Sequence, residues 1–110
     1  MEDEVILWKA PQPRRLAEKE MTEGFDPQSY PGNGPYFATV KEIAEGFANI
    51  YGNGLQEIHL AKTVFDGLVM SDVIVADAFY DVDESYYVPA VKLVEFNEAI
   101  KKGRCFYHKA

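Results

Sequence analysis

Asp81, Asp83 and Glu84 crowd carboxylates into one short stretch just before the apolar run Tyr86-Tyr87-Val88. A carboxylate at the entrance of a strand can stabilise positive charge developing on a ribose, as in an oxocarbenium-like transition state. On residue types alone the same stretch also reads as a solvated loop. Tyr30, Tyr36, Tyr51, Tyr80, Tyr86 and Tyr87 can stack a flat ring and offer a hydroxyl, although most must serve the core or its edge. Cys105 with His59 or His108 would make a nucleophilic pair if Lys101, Lys102 and Arg104 favoured the thiolate. Placed in a tail between Arg104 and Phe106, it reads better as a packing thiol, and His59 as a surface or hydrogen-bonded residue of a strand. Pro31-Gly32-Asn33-Gly34 lacks the Lys and Ser/Thr of a phosphate-cradling loop and reads as a turn. One cysteine and two distant histidines cannot close a zinc site, so no metal is expected.

The 110 residues suffice for one domain with one ordinary core, and 47% apolar with 26% charged residues is a globular composition. A formal charge of −7 argues against nucleic acid, whose backbone must be met by Lys and Arg. The same charge disfavours anionic membranes, and no apolar run is long enough to span one. The acidic start Met1-Glu2-Asp3-Glu4 does not read as a signal peptide. The expected location is the cytoplasm, or a target cell into which the chain is delivered.

The elements that must position these residues are legible in part. Val5-Ile6-Leu7-Trp8 reads as a buried strand, and Arg14–Glu23 as a helix with a thin stripe of Leu16, Ala17 and Met21. Asp26–Gly34 is dense in turn formers. Tyr36-Phe37-Ala38 reads as a strand. Thr39 and Glu42 have capping-box spacing for a helix to Tyr51, stopped by Gly52-Asn53-Gly54. Its periodic face predicts burial of Ile43, Phe47 and Ile50. Leu55–Leu60 reads as a strand, Thr63–Val69 as a short helix, and Val73–Ala76 and Tyr86–Val88 as strands. Pro89 suits the first position of a final helix that ends at Lys101, Lys102 and Gly103. Mixed strands and helices without regular βαβ spacing predict an α+β fold, with a small, mostly antiparallel sheet and flanking helices.

The stretch Gly34–Leu68, GPYFATVKEIAEGFANIYGNGLQEIHLAKTVFDGL, resembles the ADP-ribosyltransferase-like C-terminal modules of Rhs-type and related bacterial polymorphic toxins. SYYVPAVKLVEFN resembles the closing part of such modules, so the resemblance covers about half the chain. It implies a single ADP-ribosyltransferase-like domain over 1–110, with NAD as substrate and ADP-ribose transferred to a target. The family's first strand carries an Arg or His that contacts the nucleotide, and the matching residue here is Lys9. By the same resemblance, Tyr36 and Tyr51 frame the nicotinamide, and Thr39 hydrogen-bonds near the catalytic carboxylate. Glu84 matches that carboxylate best, with Glu57 second. The resemblance requires the strands at Val5–Ala10, Tyr36–Thr39 and Tyr86–Val88 to lie together, with Lys9, Tyr36, Thr39 and Glu84 in one cleft. The implied partners are a protein target or a cognate immunity protein. The alternative reading is a non-catalytic acidic interaction module: a degenerate transferase fold, an inhibitor or an immunity-like protein covering a basic site.

Overall fold

The computed structural model describes residues 3–12, 14–30, 32, 34–77 and 85–110. β1 (Glu4–Lys9) leads to α1 (Arg14–Glu23), a 3₁₀ turn at Pro27–Ser29 and β2 (Tyr36–Ala38). α2 (Lys41–Tyr51), β3 (Leu55–Ala61), α3 (Lys62–Met70) and β4 (Val75–Ala76) follow. β5 (Ser85–Tyr87), a 3₁₀ turn at Ala90–Lys92, α4 (Leu93–Lys101) and β6 (Arg104–His108) complete the chain. Among the described residues the strands form one six-stranded sheet in the order β4-β5-β2-β1-β3-β6. Every neighbouring pair is antiparallel. The fold is therefore α+β, and the three strands expected to lie together are neighbours, β5-β2-β1.

β1 is anchored by β3 through registered positions from Glu4↔Ala61 to Lys9↔Gln56. Side chains alternate across a strand, so the register sorts the faces. Leu7, Ile58, Leu60 and Phe37 face the main core, where they meet Phe25 and the helical residues Phe65, Leu93, Phe96 and Ile100. Phe25, Phe37 and Phe96 form its aromatic centre, with ring centroids 5.3–5.9 Å apart. Trp8 has the opposite parity and meets α2, where Lys41 Nζ lies 5.2 Å from its ring centroid.

Several local expectations need correction. α2 begins one residue later than the capping-box spacing implies. Val40 is its N-cap, without a side-chain cap bond, because Val40 O receives the Ile43 amide at 3.2 Å. The stop signal holds: Gly52 adopts φ +72° and returns its amide to Ala48 O. The predicted burial of α2 fails. Ala44 is its buried residue, Ile43 is half-buried, Phe47 is 37% exposed and Ile50 is 75% exposed. Part of the α2 stripe borders an open cleft, so its periodicity marks a face without filling it. Phe47→Ala is therefore expected to cost about 1 kcal/mol, well short of the roughly 3–5 kcal/mol of a fully buried phenylalanine. Urea unfolding checks this; a loss in the higher range would mean that Phe47 is enclosed in solution.

Residues 104–108, read as a tail, form β6 and pair with β3 from Leu55↔His108 to His59↔Arg104. Their alternation of exposed and half-buried positions suits an edge strand with one face on the domain, although Phe106 stands on the exposed face. β4 is shorter than expected, since Val73 and Ile74 enter the core before it starts. Pro89 precedes a 3₁₀ turn rather than opening α4 directly.

Candidate functional site

A cleft with a volume of about 940 Å³ opens where β1 ends and β2 begins. Its walls include Trp8, Lys9, Tyr36, Phe47, Tyr51 and Asp77. The sheet itself makes the opening. β1 and β2 share a single registered position, Trp8↔Ala38, whereas β1 and β3 are paired along the whole of β1. Gly34 borders the cleft with φ +78°, and a Cβ there would lie 1.9 Å from Val88 O. A side chain at this position would push apart the backbones that form the rim.

Lys9, Tyr36 and Tyr51 are thus brought to one cleft. They do not share one sheet face. Tyr36 has the parity of Ala38 and Trp8, while Lys9 has that of Leu7. The resemblance requires Lys9, Tyr36, Thr39 and Glu84 to line one cleft from one face of the sheet, so the opposite faces of Lys9 and Tyr36 count against it. The two meet at the cleft because it lies at the unpaired end of the two strands. Tyr36 packs against Tyr87 at 5.6 Å between centroids, and Tyr51 stacks on Phe47 at 6.2 Å. Thr39 lies in the turn between β2 and α2 and is not part of the lining. Glu84, with Tyr80, Asp81 and Asp83, lies outside the described residues.

Lys9 is buried to 8% exposure although it borders the cleft. Burial lowers its pKa, opposed by the negative charge of Glu20. Its ammonium lies 5.5 Å from the Tyr30 ring centroid. Among the described residues it forms no ion pair and donates no hydrogen bond. Glu20, 3% exposed, is engaged by other groups. The Tyr30 hydroxyl donates to Oε2, and Gln56 Nε2 donates to Oε1 at 2.9 Å. Gln56 Nε2 also donates to Ala17 O at 3.0 Å, while its buried Oε1 has no partner among the described residues. Burial and then the bond to Glu20 push the Tyr30 hydroxyl far above its ordinary pKa.

Glu57, the second carboxylate candidate, is not in the cleft lining. It accepts hydrogen bonds from His59 Nε2 and from His108 Nε2, the latter at 2.7 Å. Beside them Arg104 Nη2 donates to Glu4 Oε1 at 2.8 Å. Burial alone would raise the Glu57 carboxyl, but the two histidine bonds outweigh it and hold it below its ordinary value. A depressed carboxylate stabilises the fold above the ordinary range, and that contribution fades as pH falls through its folded value. Glu57→Gln should accordingly flatten the decline of Tm with pH below about 4.5. Identical acid limbs for wild type and variant would refute this role.

Cys105 is half-buried, and burial raises its thiol pKa, which disfavours the thiolate. It has the parity of Ile58, opposite to His59 and His108, so no Cys–His pair forms. Among the described residues no cluster of His, Cys, Asp or Glu could hold a metal, and no helix is long and apolar enough to cross a membrane.

Glu20, Gln56 and Asp77 are site residues that sequence reasoning missed. Glu20 lies four residues after Leu16, on the apolar stripe of α1, and Gln56 has the inward parity of Ile58 and Leu60. Extending both periods would have exposed these buried polar positions. Asp77, buried beyond β4, carried no comparable signal. No family model matches the chain, and no curated protein and no solved structure is significantly similar to it. The fold and site define an antiparallel α+β domain with an aromatic cleft and a buried lysine that forms no ion pair among the described residues.

Proposed function

We propose that the domain binds NAD in this cleft and transfers ADP-ribose to a protein target. The observation that carries the reading is a buried lysine, without an ion pair among the described residues, at the wall of an aromatic cleft large enough for a dinucleotide. The adjacency of β5, β2 and β1, required by the family resemblance, supports it further. Lys9 holds a phosphate as a point charge, without arginine's planar fork. Tyr36 and Tyr51 frame the nicotinamide ring, while Thr39, off the cleft wall, takes no direct part.

In the reaction the bond between ribose C1′ and the nicotinamide nitrogen breaks. Its electron pair returns to the ring, and nicotinamide leaves neutral. Glu84 orients the ribose and stabilises the positive charge left at C1′. The acceptor's nucleophilic atom then bonds to C1′ and gives up its proton, while water in the same role yields free ADP-ribose. Wild-type protein should show a thermal shift with NAD and release nicotinamide on incubation, measured by chromatography. Neither shift nor release at millimolar NAD would end this reading. The non-catalytic interaction module would then take its place, favoured by the exposed Ile50 and the −7 charge.

A further inference from the structure

An ammonium buried this deeply is under pressure to lose its proton, because burial penalises its charged form. A contact ion pair would resist that, but would occupy the donors that a ligand anion needs. Here the countercharge is near without forming an ion pair. Glu20 is held in place by two groups that flank Lys9: Tyr30, over whose ring the ammonium lies, and Gln56, the cross-strand partner of Lys9. Among the described residues the remaining titratable groups at the cleft wall are Tyr36, Tyr51 and Asp77.

From this arrangement we infer that Glu20 is a positioning residue for anion capture. Clamped by Tyr30 and Gln56, it keeps Lys9 protonated while leaving the ammonium's donors free for a phosphate of the ligand. The inference rests on the reading of the cleft as the NAD site and names a residue of α1 as part of its specificity for anions. The direction of the Lys9 shift agrees, with burial lowering its pKa and Glu20 opposing that. Anion affinity should therefore fall as pH rises through the Lys9 midpoint, and without Glu20 that fall should occur at lower pH. Each unit of midpoint shift changes the protonated fraction above the midpoint about tenfold.

The test uses NMR of lysine labelled at Cε and Nζ, with the Lys9 signal assigned from Lys9→Arg. In parallel, calorimetry follows the binding of inorganic pyrophosphate and of NAD from about pH 6 to about pH 11, a range spanning the ordinary lysine value and below it. Glu20→Gln should lower the Lys9 midpoint and weaken pyrophosphate about tenfold per unit of that shift at high pH. Adding Lys9→Arg to Glu20→Gln should restore NAD binding at high pH, since a guanidinium keeps its charge. An unchanged Lys9 midpoint in Glu20→Gln, or no rescue by arginine, would overturn the inference. If Glu20→Gln does not fold, Glu20→Asp replaces it. A near wild-type midpoint and pH profile is then expected, and lost pyrophosphate binding with an unmoved midpoint would count against the inference. Pyrophosphate binding without NAD binding would remove the NAD reading and leave the role of Glu20 intact.

Discussion

Phe96→Ala is expected to destabilise the domain by roughly 3–5 kcal/mol. Phe96 is fully buried on α4 and packs its ring against Phe25 at 5.9 Å and Phe37 at 5.3 Å. Its removal leaves a cavity between the helix and the sheet, and the rings around it can collapse only partially. Such a loss is a large share of the stability of a domain, typically 5–15 kcal/mol. Because Phe37 also lines the cleft, the NAD binding proposed for it should weaken along with stability. Urea unfolding gives the first quantity and calorimetry the second. A stability loss below about 1 kcal/mol, the range of ordinary substitutions, would show that α4 does not pack on the sheet as described.

Glu84→Gln should reduce nicotinamide release from NAD by about a hundredfold or more, with little change in Tm. The substitution keeps the shape of the side chain but removes its charge and turns one acceptor oxygen into a donor. That charge matters most when C1′ is positive, so the loss should fall on kcat rather than on KM. Glu84 directly precedes β5, which pairs with β2 from Tyr36↔Tyr87 to Ala38↔Ser85. A variant that releases nicotinamide as fast as wild type would exclude Glu84 as the catalytic carboxylate. The residual candidate Glu57 would not replace it, since it is bonded to two histidines and absent from the cleft lining.

Where local chemistry and burial agree, sequence and structure agree. α1 matches its expected limits, and the strands at Val5–Trp8, Tyr36–Ala38 and Leu55–Leu60 form as the apolar runs imply. β6 was harder to read, because five residues of mixed character carry little propensity of their own and gain their structure from pairing with β3. The face of α2 shows the reverse case. Its period is a property of the chain, but burial of Phe47 and Ile50 depends on what lies opposite, and Phe47 meets a cleft.

The sequence by itself determined the α+β class and the order of most elements, since propensity, turn chemistry and short-range period are local, whereas Lys9, Tyr36 and Tyr51 were pointed to only by the family resemblance. Tertiary structure alone decided that these three meet where β1 and β2 part, and that Thr39 stays off the cleft wall. It also brought Glu20, Tyr30 and Gln56 around Lys9 from three separate segments. The physical reason is that desolvation and Coulomb forces act through space. A lysine at a strand end is ordinary in sequence, and it becomes a buried cation only when α1 and the loop at Tyr30 close over it.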